Sequence, residues 1–181
     1  MAHTYSSEPY TGTKRTVEAM EQIARGERGA LSLELRLAIE DVIRYVRPRD
    51  QLSLLAALYN WFDRHYHFVK DPRDVEQVKD PVRLLREIGR YGRAVGDCDD
   101  AATFIDGGAR SLGMDSRLVR TGFRDPTPEQ QMGSDKGRFT HVLAMSYDQY
   151  GRPIVIDPVA GRRTPKMLKR VKQYAKSRRG W

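Results

Sequence analysis

Cys98 is the only cysteine in the chain, and the residues around it are of the types that make a thiol chemically useful. It falls in Gly96-Asp97-Cys98-Asp99-Asp100, directly before Ala101-Ala102-Thr103-Phe104-Ile105, a run that reads as a helix continuing to Leu112 and stopped by Gly113. Gly96 supports a sharp turn into that helix. Asp97, Asp99 and Asp100 suit a helix N-terminus, where the dipole and unpaired N–H groups favour negative charge. The same end favours a thiolate and offers N–H groups to an oxyanion. A lone cysteine is ordinarily a small buried apolar residue. Two later residues point away from that. His141 lies in Arg138-Phe139-Thr140-His141-Val142-Leu143-Ala144-Met145, and Asp157 ends Pro153-Ile154-Val155-Ile156-Asp157. Both segments read as strands, as does Ser116 to Arg120, and the turn Asp148-Gln149-Tyr150-Gly151 joins the last two. A hairpin sets His141 beside Asp157, so that the carboxylate orients the imidazole and the imidazole takes the Cys98 proton. The neighbouring acids oppose a thiolate, and Asp99 and Asp100 are expected either to cap the helix or to pair with Arg93, Arg110 or Arg117.

These residues also carry a resemblance. Gly-Asp-Cys-Asp-Asp at a helix start, Leu112-Gly113-Met114-Asp115-Ser116-Arg117 leading into a strand, Thr140-His141-Val142 on a second strand and Ile156-Asp157-Pro158 on a third resemble the transglutaminase-like superfamily. Tyr66-His67-Phe68-Val69-Lys70-Asp71, followed by Val78-Lys79-Asp80-Pro81 and the helix opening Val82-Arg83-Leu84-Leu85, looks like that family's lead-in to its nucleophile. The resemblance covers roughly residues 50 to 160. It implies an α+β fold with a papain-like core, in which the cysteine-bearing helix packs on a small antiparallel sheet. It further implies a Cys98-His141-Asp157 triad, working through a thioester on a protein or peptide substrate by acyl transfer or amide hydrolysis. No cofactor and no metal are implied. The oxyanion would be held by the Cys98 N–H and an upstream side chain, for which Tyr66 and His67 are the candidates. The superfamily spans cross-linking enzymes, proteases, amidases and members without known activity. Small stand-alone members resemble proteins encoded among phage morphogenesis genes, so the alternative is a virion or tail-assembly component that keeps the fold and leaves the triad idle.

Other elements must position these residues. Residues 1–12 read as a flexible arm, polar and helix-poor. Residues 13–50 read as a helical extension. Val17, Met20, Ile23 and Ala24 follow helical spacing from Thr13 to Ala24, and Gly26 and Gly29 end that helix. Ser32 then caps a second helix, whose stripe runs through Leu33, Leu35, Leu37, Ala38, Val42, Ile43 and Val46 and ends before Pro48. The core spans 51–161 and opens on a third helix, Gln51 to about Arg64. A proline-punctuated segment from Asp71 to Asp80 precedes a helix from Pro81 to Ile88, and Gly89 to Val95 leads to the cysteine. Gly122 to Gly137 is a long connection placed where an active-site rim would be. His65 and His67 share one face if both are in a strand, with Asp63 or Asp71 nearby. Two histidines without a full ligand set are a weak zinc signal, so no metal is assigned.

Charge divides the chain. The net +8 comes from 32 basic and 24 acidic residues over 181 positions. Nine of the basic residues follow Asp157, where there is no acid, so the rest of the chain holds 23 basic against 24 acidic. Within this basic segment, 162–181, Lys166 to Ala175 reads as an amphipathic helix with Met167, Leu168, Val171, Tyr174 and Ala175 on one face. It is a candidate contact for assembly partners, as is the N-terminal arm. Nonspecific phosphate contact with nucleic acid is the weaker expectation, since base-reading motifs are missing. A single cysteine excludes an intramolecular disulfide. The N-terminal residues carry no apolar signal-peptide core, and no apolar run reaches the ~20 residues needed to span a bilayer. The expected location is therefore a reducing cytoplasm, or a virion assembled there.

Overall fold

The computed structural model describes residues 13–71, 77–121 and 141–159. The arm of residues 1–12, the long connection after Thr121 and the basic segment 162–181 lie outside the described residues. Among the described residues ten elements follow in order: α1 (Thr13–Arg25), α2 (Leu33–Ile43), α3 (Gln51–His65), β1 (Tyr66–Phe68), α4 (Pro81–Tyr91), β2 (Ala94–Gly96), α5 (Cys98–Ser111), β3 (Ser116–Thr121), β4 (His141–Tyr147) and β5 (Pro153–Ile156).

The sequence of α5 explains its central place. Ala101, Ala102, Gly107, Gly108 and Ala109 leave its surface small, and every residue from Asp100 to Ala109 is buried. Neighbours therefore approach from all sides. A methyl group on Gly108 would meet Leu58 Cδ2 of α3 at 3.0 Å and Ile39 Cδ1 of α2 at 3.1 Å. On another side Met20 of α1 packs with Ala102, Leu118 and Val142. Aromatic rings join α3 to α5: Phe62 stacks on Phe104 at 4.2 Å and on Tyr66 at 4.7 Å. Such pairs add about 0.5–1.5 kcal/mol each beyond the area they bury.

Two sheets complete the fold. β3, β4 and β5 form an antiparallel sheet in that order, with Thr121 opposite His141 and Ala144 opposite Ile156. β1 and β2 form a short parallel pair, with Tyr66 opposite Ala94 and Phe68 opposite Gly96. A parallel pair needs a crossover, and here α4 supplies it. The cysteine-bearing helix against a small antiparallel sheet is the α+β architecture that the sequence resemblance implies.

Some expected elements differ in detail. Leu35, Ile39 and Ile43 of α2 are buried at a spacing of four, whereas Leu33 and Leu37 are 68% and 55% exposed. Residues two positions apart on a helix point roughly 200° apart, so one face cannot bury both sets. The helix from Pro81 continues past Ile88 to Tyr91, where Gly92 at φ 74° takes the left-handed cap and donates its N–H to the Ile88 carbonyl. The approach to the cysteine is thus a helix end and a strand. Asp80 begins α4 by accepting the Arg83 N–H at 2.8 Å, while its second oxygen pairs with Arg28 at 3.0 Å. His65 closes α3 with Nδ1 on the Trp61 carbonyl at 2.7 Å, so it does not share a strand face with His67.

Candidate active site

Cys98 is the first residue of α5, directly after the N-cap Asp97, whose side chain accepts the Asp99 N–H at 2.9 Å. A residue at that position has no intrahelical partner for its N–H. Its half-buried thiol donates to Asp99 Oδ1 at 3.4 Å and packs beside Met20, Ala102, Leu118 and Val142. The Val142 N–H also faces the sulfur. Burial pushes the Cys98 thiol well above its usual range, and the charges of Asp99 and Asp97 push it further; the Val142 N–H works in the opposite direction. At neutral pH the resting group is therefore the thiol. The helix end alone does not overcome the acids around it.

His141 opens β4, and Asp157 directly follows β5. In the β4–β5 register Ala144 faces Ile156, which carries Asp157 to the level of Leu143, on the same strand face as His141. The two side chains meet there. His141 Nε2 lies 2.7 Å from Asp157 Oδ2, and both side chains are 2% exposed. The second oxygen of Asp157 accepts the Val159 N–H at 3.1 Å, which fixes the carboxylate plane. An ionised Asp157 accepts from Nε2–H and so leaves the basic lone pair on Nδ1. Cys98 and the His141–Asp157 pair are joined through Val142, the residue that follows the histidine and touches the sulfur.

The other sequence candidates occupy different places. Tyr66 is buried, and its hydroxyl donates to the Asp97 carbonyl at 2.6 Å, so its proton is committed to the turn that carries Cys98. Burial raises the phenol far above its ordinary pKa, with the charges of Asp100 and Asp97 adding to the effect, and keeps it a donor. His67 lies opposite Val95 on the exposed side of the β1–β2 pair. Asp100 joins none of the arginines expected for it. It turns inward and accepts the Lys79 N–H at 2.6 Å, while Arg110 pairs with Asp106 at 2.9 Å and Arg117 with Asp115 at 3.5 Å. The helical phase signals this, since Asp100 is one turn before the buried Phe104. Gly96 matters through close approach: a methyl there would lie 2.0 Å from Asp100 Oδ2 and 2.7 Å from the Tyr66 hydroxyl.

Among the described residues, Asp97, Cys98 and Asp99 bring three potential ligand atoms within 4.8 Å of one another. The positive end of α5 opposes a cation there, and the geometry carries no metal assignment.

No protein-family model matches the chain, and no curated protein matches it. Solved structures do. A protein from Parabacteroides distasonis described as a "putative protease" matches with a TM-score of 0.57 at 10% identity, over 82% of this chain and 27% of that one. The periplasmic domain of TgpA from Pseudomonas aeruginosa bound to ethylmercury matches with a TM-score of 0.49 at 14% identity, over 85% of this chain and 52% of that one. The same domain without that label gives 0.48 at 14% identity, over 83% of this chain and 49% of that one. The chain spans about half or less of the length of each of these structures. At such identities the likeness is one of fold.

Proposed function

We propose that the chain is a transglutaminase-like cysteine enzyme that transfers an acyl group from an amide through a thioester on Cys98. The observation that carries this reading is the buried 2.7 Å pair of His141 Nε2 and Asp157 Oδ2, with the Cys98 sulfur against the next residue of the same strand. Burying a histidine and a carboxylate together is costly unless each satisfies the other, and the product is an imidazole held in one tautomer.

The steps follow from the groups present. Cys98 Sγ attacks the amide carbonyl as His141 Nδ1 takes the thiol proton, forming an S–C bond and an oxyanion. The Cys98 N–H holds that oxyanion at the helix end. Collapse breaks the C–N bond, and His141 returns the proton to the departing amine. Water or a second amine then attacks the thioester, gives its proton to His141, and displaces the sulfur, which recovers the proton. Because burial and the neighbouring acids hold Cys98 as a thiol, His141 removes the proton during attack rather than beforehand. A peptide or protein chain is the substrate class this chemistry serves.

The test is alkylation of Cys98 by iodoacetamide across pH in the wild type and His141→Ala, together with mass spectrometry after exposure to an activated aryl ester. The reading expects labelling about tenfold or more faster in the wild type near neutral pH, and an acyl adduct on Cys98 that the variant forms poorly. Equal labelling rates and no adduct on Cys98 overturn it.

A further inference from the structure

Asp100 is an acid placed where the fold gives it no water. It is fully buried at the third position of α5, two residues after Cys98. An acid at that position commonly reaches back to the N-cap N–H. Asp100 instead reaches out of its own helix, and Oδ1 accepts the Lys79 N–H at 2.6 Å. Lys79 is itself anchored, with Nζ 2.6 Å from the Val95 carbonyl and 3.3 Å from Glu87 of α4. The second oxygen crowds the α-carbon of Gly96 beside the Tyr66 hydroxyl. Among the described residues it is a buried oxygen with no hydrogen-bond partner. Such an atom is costly in an ionised carboxylate and less so in the neutral acid.

We propose that Asp100 is a positioning residue for Cys98, its carboxyl group tying the segment before α4 to the first turn of α5 through Lys79 and packing against Gly96, and so fixing the direction in which the sulfur leaves that turn. This rests on the cysteine chemistry proposed above. Asp100 acts through the backbone of the turn, which Tyr66 holds from the other side at the Asp97 carbonyl. The groups facing it are Tyr66 of β1, Asp71 after β1, Lys79 with its partner Glu87 of α4, and Asp97 of its own turn. Lys79 is the one cation in that set. Burial pushes Asp100 up to about 7, the Lys79 N–H opposes this, and Asp97 and Asp71 add to it. Above that pH another negative charge enters the wall behind a thiol that Asp99 and Asp97 already hold back. Ionisation of Asp100 therefore slows the sulfur.

The experiment follows iodoacetamide labelling of Cys98 in the full chain from about pH 5 to about pH 9, spanning the ordinary ranges of carboxylate, imidazole and thiol. It compares the wild type, Asp100→Asn, Asp100→Ala and His141→Ala, with circular dichroism on each. Asparagine keeps the shape and the acceptor for Lys79 but cannot ionise. Asp100→Asn is expected to match the wild type below about pH 7 and to label about threefold or more faster above it, with the break in the wild-type profile gone. Asp100→Ala, with native dichroism, is expected to label about tenfold slower throughout. An asparagine variant that is slow, or that keeps the break, overturns the proposal, as does an alanine variant as fast as the wild type. If alanine prevents folding, the asparagine profile decides alone. The His141→Ala arm keeps the two readings separate. Wild type and His141→Ala labelling alike defeats the cysteine chemistry, whereas a slow His141→Ala beside an asparagine variant identical to wild type defeats only the role of Asp100.

Discussion

His141 and Asp157 make one hydrogen-bonded unit, since each is too deeply buried to stand alone. Asp157→Asn preserves volume but offers an amide where a carboxylate fixed the tautomer. It is expected to slow Cys98 labelling by no more than His141→Ala does, about tenfold, and to lower any amide turnover by about a hundredfold or more while the fold persists, as labelling rates, steady-state rates and circular dichroism would show. Tyr66→Phe tests a different residue by a different measure. It removes one of two donors from the Asp97 carbonyl, which keeps the Ala101 N–H at 3.2 Å, and is expected to cost about 0.5–1.5 kcal/mol in urea unfolding. Cys98, His141 and Asp157 are legible in sequence because each is a rare or turn-terminating residue with diagnostic neighbours. Tyr66 is equally visible as a residue, but its hydroxyl finds Asp97 only because β1 and β2 pair in parallel across α4. Asp100 reads as one more acid at a helix end. Its inward orientation depends on Lys79, and no local pattern announces that partner.

Among the elements, α5 carries both the most buried packing and Cys98. Phe104→Ala removes the ring between Trp61 and Phe62, and thermal or urea unfolding is expected to show a loss of about 3–5 kcal/mol. Gly108→Ala sets two effects against each other. Alanine gains about 1 kcal/mol in helix propensity, while contacts at 3.0 and 3.1 Å cost about 1–3 kcal/mol of overpacking. Net destabilisation is therefore expected, since Leu58 and Ile39 are themselves fully buried. Element positions were largely open to sequence reading, because Ser32, Asp80-Pro81 and the glycines punctuate the helices with local chemistry. Faces were less so. Leu33 and Leu37 are as apolar as Leu35, and only the location of α5 decides which of them turns inward.

For the whole molecule, the buried acid gives stability a pH dependence of unusual sign. A carboxyl with its folded pKa near 7, against 3.8 ordinarily, binds its proton more tightly in the native state. Its contribution to stability therefore falls as pH rises from about 4 to about 7 and stays low above that, by up to about 4 kcal/mol. Asp100→Asn is expected to raise the melting temperature more at pH 8 than at pH 5, and a constant offset at both would contradict the assignment of the proton.

The β3–β4 pairing has a consequence for how such a protein can diversify. Thr121 and His141 face each other at the end of the ladder among the described residues. The ladder thus brings the two described residues that flank positions 122–140 to a single level. Doubling the length of a closed segment costs only about 0.6 kcal/mol in chain entropy. The number of residues between Thr121 and His141 can therefore change at small cost while the β3–β4 register is kept.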